Sequence, residues 1–119
     1  MPIPRITKEA LKERLDAGNP PVIVDARLKY PYEHSTLLLP AAVRVTPEDA
    51  ASHAFAKDRD IVVYDSDPGE LVAAGVVAAL IDRGLTAAAL KGGLPEWAAA
   101  NLPVDTKEAR RTTPTGAGA

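Results

Sequence analysis

Two short runs, Val22-Ile23-Val24 and Ile61-Val62-Val63-Tyr64, are apolar at every position and mostly β-branched. A strand on a sheet surface alternates apolar and polar residues, so a run without alternation belongs to a strand covered on both faces, as in the middle of a parallel sheet. Segments with helical spacing surround these runs. Pro4 to Leu15 offers Thr7 as N-cap, Glu9 in the first turn and Ala10, Leu11 and Leu15 at helical spacing, and Asn19-Pro20-Pro21 is expected to end it. Lys29 to Leu39 reads as an irregular connection, and Val43-Arg44-Val45 as a further strand. Thr46 then caps a predicted helix, with Pro47 at its first position and Glu48 and Asp49 at the positive end of its dipole, running to about Phe55. Glu70 to Arg83 is apolar around most of its circumference and stops at Gly84. Ala87 to Leu90 is a strand bounded by glycines, and Leu94 to Ala100 a last helix.

This alternation predicts an α/β domain, a mostly parallel sheet with helices on both faces. The 119 residues and 46% hydrophobic content suit one domain with one modest core. It is expected over residues 1–106, with a flexible C-terminal tail over 107–119. In such sheets ligands bind beyond the carboxyl ends of the strands, which makes Asp25, Asp65 and Lys91, each closing or following a predicted strand, the first candidates for a site.

Charge and cysteine usage narrow the function. A net charge of −2 lacks the one-sided basic excess that phosphate backbones demand, so no nucleic-acid partner is expected, and Lys107 to Arg111 reads as a solvated helix end or tail. No apolar run approaches the roughly 18 residues of a membrane span, and the N-terminus lacks the order of a signal peptide, so a cytoplasmic protein without membrane contact is expected. The chain has no cysteine at all, which removes disulfides, thiolate nucleophiles and cysteine-held zinc.

Four separated signatures resemble, in order and spacing, the rhodanese homology domain. "VIVDAR" at Val22–Arg27 resembles that family's strand ending in Asp-x-Arg. "LPAA" at Leu39–Ala42 is similar to its Ile-Pro-Gly-Ala step, with Ala41 where glycine is usual and Leu38 where histidine is usual. "IVVYD" at Ile61–Asp65 resembles the strand that delivers the catalytic cysteine, with Asp65 at the cysteine position. "LKGGLPEW" at Leu90–Trp97, followed by "NLPV" at Asn101–Val104, is similar to the Gly-Gly-x-x-x-Trp and Gly-x-Pro-Val ending. The resemblance implies a rhodanese-like fold, a mostly parallel five-stranded sheet with helices on both faces. "DSDPGE" further resembles a variant group carrying Cys-x-Cys-Pro-x-Glu, both cysteines being aspartates here, Asp65 and Asp67.

Rhodaneses hold a sulfane sulfur on a thiolate as a persulfide, in a loop whose N–H groups converge on the anion. No side chain available in this loop forms that intermediate. A carboxylate at Asp65 would also repel an anionic donor by roughly 4 kcal/mol at about 4 Å and an effective dielectric near 20. The resemblance, less its cysteine, therefore implies a non-catalytic module that binds a protein partner or regulates. Asp65, Ser66, Asp67, Pro68, Gly69, Glu70 and Leu71 form its vestigial loop, and Asp25, Arg27 and Lys91 support it. If the loop keeps its inward N–H groups, Asp65 fills them with its pKa lowered; if they stay open, weak anion binding is expected; Asp65 as a plain helix cap is the simpler alternative.

Two other classes stay open at this stage. An aspartate-based phosphoacceptor of the receiver type would use Asp25, Asp65 and a strand-end Lys91, although Lys91 comes one strand too early. A carboxylate metal site would use Asp25, Asp65, Asp67 and Glu70. His34 and His53 have no ligand spacing and read as surface residues, Trp97 reads as a core plug, and no cofactor or metal is implied.

Overall fold

The computed structural model describes residues 3–112. Its elements are β1 (Arg5–Ile6), α1 (Lys8–Asp16), β2 (Val22–Asp25), α2 (Lys29–His34), β3 (Leu37–Leu38), β4 (Val43–Arg44), β5 (Ile61–Tyr64), α3 (Leu71–Asp82), β6 (Ala87–Leu90), α4 (Gly93–Ala99), β7 (Asp105–Thr106) and α5 (Lys107–Thr112). Five strands form one sheet in the order β1-β6-β5-β2-β4, every pair parallel. The two apolar runs lie side by side in its interior, Val22 facing Ile61 and Asp25 facing Tyr64. Among the described residues antiparallel pairing is confined to β3 and β7.

Successive side chains of a strand point to opposite faces, and β5 divides accordingly. Ile61 and Val63 join Ala73, Val76, Val77 and Leu80 of α3 in one core layer. Val62 and Tyr64 join Leu11 of α1 and Leu94 and Trp97 of α4 in the other. Helices cover both faces, which is the architecture the strand–helix alternation predicts. Trp97 is fully buried and its indole N–H donates to Pro103 O at 2.7 Å, so its polar tip is satisfied.

Several boundaries differ from the sequence-based expectation. Thr7 caps α1 by accepting the Ala10 N–H at 3.1 Å, but residues 5 and 6 before it form an edge strand too short to leave a periodic signal. The helix ends with Ala17 as C-cap and Gly18 (φ +73°) just beyond it, before the two prolines, with the Gly18 and Asn19 N–H groups donating back to Leu15 O and Arg14 O. The connection after Arg27 contains a helix, α2, because Pro31 falls in its first turn, where a missing N–H costs nothing. The helix expected from Thr46 to Phe55 is absent. Thr46 caps only a pair of turns, and Arg83 donates to Ala50 O (2.7 Å) and His53 O (2.9 Å), carbonyls a continuing helix would have used itself. Residues 107–112, expected within the tail, are helical, and the rest of that tail lies outside the described residues. Ala41, where the resembling family has glycine, adopts the left-handed region at φ +58°, a conformation that costs a residue with a Cβ about 1 kcal/mol or more.

Candidate functional site

The parallel sheet sends the ends of β2, β5 and β6 to one rim, and the three strand-end residues take different environments there. Asp65, directly after β5, is 1% exposed. Its Oδ1 accepts the Asp67 N–H at 3.0 Å and its Oδ2 the Ala73 N–H, in the first turn of α3, at 2.7 Å. Asp67 Oδ2 accepts the Leu71 N–H at 3.0 Å. Two carboxylates thus take up N–H groups that a helix start leaves without intrahelical partners. Asp65 thus caps α3, and the same carboxylate accepts an N–H from within its own loop.

Glu70 closes the turn. It stands at φ +58°, strained for a residue with a Cβ, and is fixed on both sides: Oε2 accepts the Gly92 N–H at 3.1 Å and Oε1 lies 2.6 Å from Arg5 Nε. The Arg5 contact is an ion pair without hydrogen-bond alignment, which leaves Oε1 with no hydrogen bond. Gly93 (φ +63°) passes so close that a Cβ on it would lie 2.7 Å from Asp65 O, while the Leu94 N–H donates to that same oxygen at 2.9 Å. Only glycine fits there, which explains the second glycine of the pair. Pro68, Gly69 and Leu71 are exposed at the loop's outer surface, and Ser66 is partly exposed.

Burial raises the Asp65 pKa above the ordinary carboxyl value, and the charge of Asp67 adds to this; the hydrogen bonds from Ala73, Asp67 and Val72 pull the other way without prevailing. The lowered pKa expected from a filled cradle is therefore corrected: removal from water outweighs the two or three N–H donors. The folded state holds this proton more tightly than the unfolded chain does, so stability falls as pH rises from the unfolded-state value through the folded-state one. A carbon-13 titration of the Asp65 carboxyl should give a midpoint above that of an unfolded-chain aspartate. A midpoint below it would show the donors dominating.

Asp25 and Arg27 form a separate, fully enclosed network at the end of β2, at 0% and 1% exposure. The Asp25 carboxylate accepts from Arg27 N (3.1 Å), Nε (3.0 Å) and Nη2 (2.7 Å) and from the Tyr64 hydroxyl (3.0 Å). The Tyr64 oxygen in turn accepts the Leu39 N–H at 3.2 Å, and Arg27 Nη2 donates to Leu37 O at 2.9 Å. Burial, then the Asp25 charge, pushes the Tyr64 phenol well up, so it stays a proton donor. The network holds the rim together from inside and offers no face to a ligand. Lys91 is exposed and borders, with Lys8, Pro68, Glu70 and Glu96, an open cleft of about 280 Å³ beside the loop. The Asp25 side chain is thus spent on Arg27 and Tyr64 and not on Asp65, and no group of three or more acidic or histidine side chains among the described residues is arranged to hold a metal ion. Arg5, Tyr64 and Gly93 were not among the site residues expected from the sequence, where Tyr64 read as strand and Gly93 as part of a signature. Only Tyr64, the sole polar-tipped residue in an apolar run, and the Gly92-Gly93 pair left any mark there.

Residues 7–100 match the rhodanese-like domain family. The chain belongs to the rhodanese-like domain family. The solved structures of this shape include a full-length protein from Lactobacillus plantarum (23% identity, TM-score 0.79, covering 86% of this chain and 87% of that one). The Alr3790 protein from Anabaena sp. is 28% identical (TM-score 0.70, 89% and 86% covered). A thiosulfate sulfurtransferase from Pseudomonas aeruginosa is 23% identical (TM-score 0.71), and its match covers 87% of this chain and 20% of that one. No curated protein matches the sequence. This rhodanese-like domain has no cysteine, so the thiolate that carries sulfur in rhodanese chemistry is missing.

Proposed function

We propose that this rhodanese-like domain is non-catalytic and acts as a binding or regulatory module for a protein partner in the cytoplasm, with Asp65 in the position where active members carry their sulfur-bearing cysteine. The observation that carries this reading is the self-filled loop. The Asp65 carboxylate accepts the N–H groups of Asp67 and Ala73, donors of the kind that would otherwise meet an incoming anion. A negative substrate approaching the loop meets the partly exposed Asp67, with buried Asp65 and the Arg5-paired Glu70 behind it. Exposed Pro68, Gly69 and Leu71 (79% exposed) leave the outer surface of the same loop available to another protein. The phosphoacceptor alternative is disfavoured because both Asp65 oxygens are committed to backbone donors and Asp25 is locked to Arg27. Among the described residues no helix is long and apolar enough to cross a membrane.

Incubation with thiosulfate and cyanide should release no thiocyanate above the buffer blank, since no atom of the chain can carry the sulfur. Asp65→Cys should recover little activity, because Asp67 still repels the donor and Glu70 adds a carboxylate that only Arg5 offsets. Thiocyanate release by the parent chain, lost on substitution within residues 65–71, would overturn the proposal.

A further inference from the structure

Tyr32 of α2 is the point on which three cations from distant parts of the chain close. The guanidinium carbons of Arg27 and Arg44 lie 5.3 and 4.2 Å from its ring centre, and Lys107 Nζ lies 3.7 Å from it. Lys107 is fixed there, its Nζ donating to Tyr32 O and its backbone N–H to Thr36 O. One aromatic face attracts a cation but cannot offset three. Among the described residues only Asp25 brings a carboxylate within ion-pair distance of any of them, and Asp25 is fully buried and committed to Arg27 and Tyr64. Its Oδ1 stands 3.9 Å from Arg44 Nη1. Exposed Glu33 acts on Lys107 only from beyond that range.

With Asp25 spent on Arg27 and Tyr64, two positive charges remain side by side, and the other carboxylate that acts on Lys107, Glu33, does so from beyond ion-pair distance. Arg44 commits Nη1 to the carbonyls of Asp25 and Arg27, and its Nε and Nη2 meet no acceptor among the described residues. Lys107 keeps ammonium hydrogens beyond the one given to Tyr32 O. Both side chains reach solvent, that of Arg44 being 24% exposed. Burial and the charges of Arg27 and Arg44 hold the Lys107 ammonium below the ordinary lysine range, opposed by Asp25 and Glu33.

We propose that Arg44 and Lys107, at the Tyr32 ring, form a binding site for a doubly charged oxyanion, free phosphate or a phosphomonoester. The charge left over is two, and the free edge of a guanidinium presents paired donors suited to two oxygens of one tetrahedral anion. The site is distinct from the loop after β5 and does not depend on the function proposed for that loop.

The full chain is titrated with inorganic phosphate at constant ionic strength, at a pH where phosphate is dianionic, and followed by backbone amide resonances. Saturable shifts centred on Tyr32, Arg44 and Lys107 are expected, with none from chloride. Arg44→Gln and Lys107→Gln should each weaken binding about tenfold, the loss of one charge-assisted contact, while Lys107→Arg retains it and Asp65→Ala leaves these shifts in place. A phosphoserine peptide binding more tightly than phosphate would assign the anion to a protein, and equal affinity would assign it to the free ion; either supports the site. Absent shifts, shifts reproduced by chloride, or binding unchanged in folded Arg44→Gln would overturn it.

Discussion

Arg27→Ala should cost about 3–5 kcal/mol, because it leaves the Asp25 carboxylate buried without its counter-charge. That is a large part of the roughly 5–15 kcal/mol that holds a domain of this size together. Asp25 would keep the Tyr64 hydroxyl as a donor but lose every side-chain bond from Arg27, and Leu37 O would lose its Nη2 partner. Urea denaturation of the parent, Arg27→Ala, Asp25→Leu and the double variant gives the coupling between the two residues. The double variant should be less destabilised than the sum of the single ones, since removing both charges leaves neither unpaired. A loss below about 1 kcal/mol in Arg27→Ala would mean that water reaches Asp25 and that the pair is no internal brace.

The second expected result concerns the loop. Asp65→Ala should cost about 1–3 kcal/mol through the orphaned N–H groups of Asp67 and Ala73. The raised pKa puts the loss toward the low end of that range, because the buried charge already opposes part of what its hydrogen bonds contribute. The vacated cradle should then accept an anion. Sulfate at about a hundred times its dissociation constant stabilises a folded state by about 2.7 kcal/mol, so the variant should gain more in melting temperature from sulfate than the parent does. Comparing the two shifts isolates the loop from any other anion site, which both proteins share. Equal shifts would show that Asp65 caps α3 without occupying a pocket.

The apolar runs at residues 22–24 and 61–64 announced buried central strands, and with them the rim where Asp25 and Asp65 lie, because full burial on two faces leaves a composition no other element needs. Short edge elements were illegible. Arg5–Ile6 and Leu37–Leu38 are strands only because a partner edge passes beside them, and two residues cannot show a period. Thr46-Pro47-Glu48-Asp49 carried strong helix-start chemistry, yet the segment stops at a pair of turns whose Ala50 and His53 carbonyls accept from Arg83, the cap of α3. At the site the residue types were legible and the balance of forces was not. The donors around Asp65 followed from the loop's resemblance, but the direction of its pKa depended on a degree of burial that spacing does not encode.

The pairing of β1 with β6 sets an order on biosynthesis. Arg5 lies against Ala89 and Ile6 against Leu90, so a strand made before β2 and β5 waits for one made after them. Meanwhile β2 and β5 can pair, and α3 can cover them. The β3–β7 ladder imposes a comparable though shorter delay on Leu37 and Leu38, whose partners are Thr106 and Asp105. Contacts this distant in sequence slow folding, because the chain must be closed into large loops before any bond rewards the closure. During translation, then, the nascent domain exposes the β6-facing edge of β5 until residues 87–90 arrive, an interval in which a chaperone or a second nascent chain has access to an edge that the finished fold covers.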